Sequence, residues 1–213
     1  MDSTSTWRNK SIICEYLALS LTCPTEELLT SIKSGDFDAS TTEIRTLLGL
    51  APISALADEI FTLGIEHSAE TLRTLRAEYT RLFVGAPTPL IRPYESSFRL
   101  AAEDRTDIVL MVNPYAQKIE DFYFECGLKK STEHNMPADH VSSELEVLCY
   151  LAGVEAGLFD PVKNINAAAL FSAFVRDHFQ EWIPSFCDKT SELTRSAFYR
   201  NAADILKSVS ASL

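Results

Sequence analysis

Apolar residues recur along this chain at steps of three and four, the spacing that places side chains on one face of an α-helix. A first helix is predicted from about Trp7 to Leu21, stopping before Pro24. Pro24-Thr25-Glu26-Glu27 opens a short second one. Ser40 precedes Glu43 at capping-box spacing, ahead of Ile44, Leu47 and Leu48. Pro52 opens a helix whose apolar face is Ile53, Leu56, Ile60 and Phe61. From about Glu66 to Phe83 the stripe is Leu72, Leu75, Tyr79 and Leu82, and Gly85 ends it.

Gly85 to Ser97 breaks the pattern. Pro87, Pro89 and Pro93 each remove a backbone donor and fix a torsion, so this stretch reads as a semi-rigid loop. Residues 98 to 112 are ambiguous: Ile108 to Val112 has the composition of a strand but no partner strand, and a buried turn or short helix is preferred. Asn113-Pro114 then starts a helix carrying Tyr115, Ile119, Phe122, Tyr123 and Cys126 inward. A polar linker covers about 129–138. Asp139 caps a helix with Val141, Leu145, Leu148 and Ala152 on one stripe, which Gly153 and Gly157 weaken and Pro161 stops. Asn166 caps the next, with Leu170, Phe171, Phe174, His178 and Trp182, and Pro184 ends or kinks it. The last begins near Thr190 and buries Leu193, Ala197, Phe198, Ile205 and Val209. The expectation is an all-α, single-domain bundle of about eight to ten helices, with a hinge near 129–138.

Composition narrows the function classes. The 213 residues are 46% apolar, so the chain is expected to build a packed core. Nineteen basic against 30 acidic residues give a net charge of −11, with no cluster of Lys and Arg, which argues against nucleic acid and anionic membrane surfaces. Five cysteines, Cys14, Cys23, Cys126, Cys149 and Cys187, stand at wide spacing without CxxC. They read as buried thiols in a reducing compartment, not as a disulfide framework or a zinc site. The polar start shows no signal-peptide core, and no 18-residue apolar stretch exists, so the cytoplasm is expected.

No GxGxxG, P-loop, HExxH or GxSxG occurs, and neither a cofactor nor a metal is expected. Three places carry chemistry. In the proline-marked loop, Tyr94 and Phe98 offer aromatic contact area, with Arg92 and Glu95 as polar anchors for an extended peptide; the plain alternative is a rigid connector. Asp139, His140, Ser143 and Glu144 share or flank one helix face, as a binding surface or a capped helix start. As an acid–base pair this group lacks a nucleophile. Between Ser131 and Val162 stand six acids, Glu133, Asp139, Glu144, Glu146, Glu155 and Asp160, and no Lys or Arg, a stretch favourable to a basic peptide or simply a solvated face. His178, Phe179, Trp182 and Phe186 read as core or boundary residues, and His67 and His134 as solvated.

These residues also carry a family likeness. Glu78-Tyr79-Thr80-Arg81-Leu82-Phe83-Val84-Gly85, followed by Pro93-Tyr94-Glu95-Ser96, resembles the signature of the TorD/DmsD/NarJ group of molybdoenzyme maturation chaperones. Met136-Pro137-Ala138-Asp139-His140-Val141, continuing to Glu144-Leu145-Glu146, is similar to the group's second signature, and His178 to Phe186 fits its style. The likeness runs from about Trp7 to Leu206. It implies an all-helical chaperone without catalysis. Such a protein binds the twin-arginine leader and the body of a molybdopterin-containing catalytic subunit, assists cofactor insertion and delays export. It further implies that Tyr79, Leu82, Phe83, Gly85, Pro93, Tyr94, Glu95 and Ser96 shape a groove, with Asp139, His140 and Glu144 as its polar side. Relatives are usually monomers, with swapped dimers known. Some members carry a Trp-Gly pair where this chain reads Tyr94-Glu95. Clients of the dimethyl sulfoxide reductase, nitrate reductase and formate dehydrogenase types stay open. The competing classes are an enzyme using Asp139, His140 and Glu144, and a helical adaptor or regulator with an unrelated partner.

Overall fold

The structure is a computed structural model that describes residues 3–53, 68–103, 114–128 and 136–211. The described chain is helical, and its β pairing is one isolated antiparallel bridge, Tyr94 with His140. It packs as two compact units. The first takes the chain up to Ala18 and Pro93–Ile183; the second takes Leu19–Arg92 and the chain from Pro184. The expected all-α class is what the structure shows. The segment anticipated as a hinge falls within the sequence of the first unit, and 129–135 lie outside the described residues. So do Leu56, Ile60, Phe61, His67, the Ile108–Val112 run, Asn113, Glu133 and His134.

In the first unit, α1 (Ser3–Ser20) contributes its N-terminal part, followed by α5 (Glu95–Ala102), α6 (Pro114–Glu125), α7 (Val141–Glu155) and α8 (Ala167–Phe174). A π-helical turn, Val175–Phe179, leads from α8 into α9 (Gln180–Leu193). Asn166 caps α8 as its sequence position predicts, accepting from the Ala169 N–H at 3.0 Å. α7 packs against α8. Ser11 on α1 donates to the Cys149 carbonyl on α7 at 3.0 Å, and Trp7 meets Phe171 edge-on at 5.2 Å. The core continues through Phe122 against Phe174 and Phe174 stacked on His178. Residues 98–102, ambiguous in sequence, belong to α5, so the irregular stretch ends at Tyr94 and not at Ser97.

The second unit holds α2 (Glu26–Ser34), α3 (Asp36–Leu47), α4 (Ser68–Tyr79) with a π-helical turn at Thr80–Val84, and α10 (Ala197–Ser210). Thr25 caps α2, with Glu26 and Glu27 in the first turn, where carboxylates suit the helix dipole. Gly35 at φ +84° closes α2 and opens α3 in one residue, a conformation that side chains rarely adopt. α3 therefore starts at Asp36, and Ser40 and Glu43 lie inside it instead of forming a capping box. Pro184 does not end α9. It lacks only the N–H that would face the Gln180 carbonyl, and the helix runs on to Leu193. The last helix starts at Ala197, not near Thr190, because Ser196 caps it and the preceding backbone is held by a side chain of α4, described below.

Cys14, Cys126 and Cys187 are buried thiols as expected, and burial pushes the Cys126 thiol up to about 12. Cys149 is half-buried. Cys23 is exposed, against expectation, since it follows α1 in the short turn to Pro24. The acidic stretch does not converge on one surface. Asp139 and Glu144 are buried, Glu155 is half-buried, and Glu146 and Asp160 are exposed.

Candidate functional site

Two motif segments of the first unit meet as a hydrogen-bonded frame. The Glu95 N–H donates to the Asp139 carbonyl at 3.0 Å, and the Val141 N–H donates to the Pro93 carbonyl at 3.0 Å. These two bonds flank the Tyr94–His140 pair, whose rings meet edge-on at 5.3 Å. Side chains reinforce the join. Ser96 Oγ donates to Asp139 Oδ2 at 2.5 Å across 43 residues of sequence. A charge-assisted bond of this kind contributes about 1.5–3 kcal/mol when buried.

Asp139 therefore does not cap α7. The cap is His140, whose Nδ1 accepts from the Ser142 N–H at 3.2 Å and from Ser142 Oγ at 2.8 Å. That geometry assigns the proton to Nε2. Burial lowers the His140 pKa to about 4, so the ring stays neutral at physiological pH. Asp139 needed a tertiary partner to reveal its role; the sequence offered only its place before an apolar stripe.

Behind the bridge lie three buried carboxyl groups, on Glu95, Asp139 and Glu144. Glu95 accepts from Arg99 Nε one turn along α5 and from His178 Nδ1 at 3.0 Å. Arg99 also donates to the Asp177 carbonyl and lies 3.8 Å from Glu181. Glu144 is fully buried. Its Oε2 accepts from Trp182 Nε1 at 3.1 Å, while its Oε1 has no hydrogen-bond partner. Burial raises the Glu144 pKa well above the carboxylate range, and the neighbouring Glu95 charge pushes the same way, against the Trp182 hydrogen bond. Burial likewise raises Asp139, opposed by Ser96. Trp182, read from sequence as plain core, is thus also the partner of a motif acid. Phe98 packs on its ring at 5.4 Å.

The other sequence-predicted residues stand in the second unit. Tyr79, Leu82 and Phe83 are buried there and are core, not groove surface. Phe83 meets Tyr79, Tyr199 and Phe186 at centroid distances of 5.3, 5.8 and 6.0 Å. Such pairs contribute about 0.5–1.5 kcal/mol each beyond area burial. Gly85 closes the π-turn through its N–H to the Thr80 carbonyl at 2.7 Å, and the Ile91 N–H reaches the Leu82 carbonyl at 2.9 Å. Arg92 is exposed and Tyr94 half-buried; Pro93 is buried.

The first motif also contains two residues to which sequence reading gave no role of their own. Glu78 accepts from Arg81 Nε and Nη2, each at 2.8 Å, from the Arg195 N–H at 2.8 Å and from Thr194 Oγ1 at 3.1 Å. Arg81 donates in turn to the Leu193 carbonyl at 2.7 Å. The pair clasps the turn between α9 and α10. Its i,i+3 spacing was a visible signal, but the backbone it holds lies more than a hundred residues away. Burial would raise the Glu78 carboxyl, yet the hydrogen bonds from Arg81 and Arg195 hold it below its ordinary value. Glu78→Ala is expected to cost about 1–2 kcal/mol in urea unfolding, since it releases the backbone of the turn and leaves the buried Thr194 hydroxyl without this acceptor, and Glu78→Gln less. Because the folded pKa is depressed, this contribution is complete above about pH 4.5 and is lost as the pH falls through the folded value.

With this geometry described, comparison with known proteins is informative. Residues 36–188 match the family described as nitrate reductase delta subunit. The chain is 26% identical over 173 residues to the chaperone protein TorD of Vibrio cholerae (strain O395), covering 76% of this chain and 73% of that one. It is 27% identical over 155 residues to TorD of Photobacterium profundum, covering 73% and 68%. A solved structure from Archaeoglobus fulgidus, assigned as a redox enzyme maturation protein, superposes with a TM-score of 0.53 at 19% identity. It covers 97% of this chain and 93% of that one, and so shares the fold. The matched region spans both motif segments, and the chain belongs to the nitrate reductase delta subunit family, the TorD/DmsD/NarJ group of maturation chaperones.

Proposed function

We propose that this chain is a maturation chaperone for the catalytic subunit of a molybdopterin-containing oxidoreductase. It binds that subunit's N-terminal leader and its body, assists cofactor insertion and delays export until the cofactor is in place. The observation that carries this reading is the meeting of two motif segments, 93–96 and 139–144, in one buried frame within a chain of the chaperone family. The relatives that match are named chaperones, which supports a binding role and not catalysis. A leader with paired arginines suits a protein of net charge −11, whose field favours encounter with a basic segment.

The burial of the motif divides the labour among its residues. Tyr94 is half-buried and meets the peptide with its exposed part. Pro93, Glu95, Ser96, Asp139, His140 and Glu144 hold the frame from beneath. Tyr79, Leu82 and Phe83 support the loop through the core of the second unit.

A host strain lacking this chain tests the function. One molybdenum oxidoreductase is expected to lose activity and cofactor while its polypeptide is still made, and the other such enzymes to keep theirs. Full activity of every molybdenum oxidoreductase in that strain would contradict the reading.

A further inference from the structure

The frame ties together the starts of two helices. α5 begins at Glu95 and α7 at Val141, and the backbone bonds on either side of the Tyr94–His140 bridge hold one start to the other. Each helix also contributes a fully buried acid from its first turn, Glu95 from α5 and Glu144 from α7. No hydrogen bond links the two carboxyl groups. Glu95 takes Arg99 and His178, whereas Glu144 takes Trp182 on one oxygen and leaves the other unpartnered.

This arrangement suits one charge state. A neutral Glu144 leaves a single neutral atom unsatisfied, a modest cost. An ionised Glu144 would be a buried charge with one hydrogen bond, opposed by a carboxylate on the other helix, and like charges repel strongly where water is excluded.

The facing groups do not relieve that repulsion. Among the described residues they are Glu95 and Arg99 on α5, Asp139 and His140 ahead of α7, Tyr123 on α6 and Trp182 on α9. Asp139 adds to the negative side, and His140 is neutral. Arg99 is engaged by Glu95, the Asp177 carbonyl and Glu181. His178, on the π-helical turn before α9, meets Glu95. Glu146, half a turn further along α7, is exposed.

We propose that this join is a proton-operated latch, closed while Glu144 holds a proton and parted when that proton leaves to solvent. The repulsion then acts between the two helix starts that the bridge ties together. Opening breaks the Glu95–Asp139 and Val141–Pro93 backbone bonds and separates Tyr94 from His140, while the rest of α7 stays folded. Burial and the Glu95 charge both keep the proton on Glu144, so the closed form is favoured at low pH and weakens as the pH rises. The latch belongs to this chain alone and needs no partner, so it stands or falls apart from the chaperone reading.

Amide hydrogen exchange of the full chain, read by NMR and corrected for the intrinsic pH dependence of exchange, tests it. Protection of the Glu95 and Val141 amides is expected to fall about tenfold or more between about pH 6 and pH 9, while that of Leu148 inside α7 holds. Glu144→Gln is expected to keep both amides protected throughout. Glu95→Gln, which removes the opposing charge, is expected to reduce the fall, and Glu125→Gln, at an exposed acid of the same unit, to follow the wild type. Wild-type protection of both amides that persists to about pH 9 overturns the latch. A fall that remains undiminished in Glu144→Gln or in Glu95→Gln overturns it as well. The wild type and Glu95→Gln decide the matter even if Glu144→Gln does not fold.

Discussion

Glu144→Gln is expected to stabilise the protein increasingly as the pH rises. The sign follows from the raised pKa of a carboxyl buried beside Glu95 and Asp139. A group whose folded pKa exceeds its unfolded one contributes fully below the unfolded value, about 4.5 for glutamate. That contribution is lost as the pH climbs toward the folded value, at about 1.4 kcal/mol per pH unit. Glutamine keeps an acceptor for Trp182 Nε1 and has no proton to lose. The groups that face Glu144 are Glu95 with its partners Arg99 and His178, Asp139 with Ser96, Tyr123 and Trp182. Of these, Arg99 is the guanidinium that favours ionisation, and it is already held by Glu95. Urea unfolding at several pH values reads the effect. The wild-type and Glu144→Gln curves should diverge above pH 5, and parallel curves would contradict the assignment. The same burial rules out charge reversal at Asp139 or Glu144 as a probe of peptide binding, because a buried lysine there would unfold the frame before any affinity could be measured.

Trp182→Ala should cost about 3–5 kcal/mol, the range for deleting a large buried ring. Trp182 is 1% exposed, carries Phe98 on its face and donates a hydrogen bond to a fully buried acid. Against a domain stability of about 5–15 kcal/mol this leaves a marginal fold. Trp182→Phe keeps most of the packing and removes only the N–H, so about 1–3 kcal/mol is expected. The two variants separate packing from the hydrogen bond. A loss below about 1 kcal/mol in Trp182→Ala would contradict the central place given to this side chain.

Helix existence was legible wherever an apolar stripe coincided with local stop signals. Asn166 illustrates this, because it acts through its own backbone neighbourhood. Two of the misread boundaries share one cause. Ser196, and not a site near Thr190, begins the last helix because Glu78 reaches across from α4. Asp139 yields the cap to His140 because Ser96 claims its carboxylate. Both decisions are made by residues distant in sequence, where periodicity carries no information. The π-turn at Thr80–Val84 was hidden for a different reason: Tyr79, Leu82 and Phe83 are spaced as an ordinary helix would space them.

The candidate site was legible as residues but not as surface. Aromatic and acidic side chains in a motif suggest a binding face, yet Tyr79, Leu82, Phe83, Glu95, Asp139 and Glu144 are all buried. Composition cannot distinguish a carboxylate that meets a partner's arginine from one that meets a serine of its own chain.

Purification of the tagged chain from its native host tests the central claim most directly. The catalytic subunit of one molybdenum oxidoreductase is expected to co-purify. Recovery of an unrelated partner in place of any molybdenum subunit would contradict the account and identify the chain as a helical adaptor built on the chaperone fold.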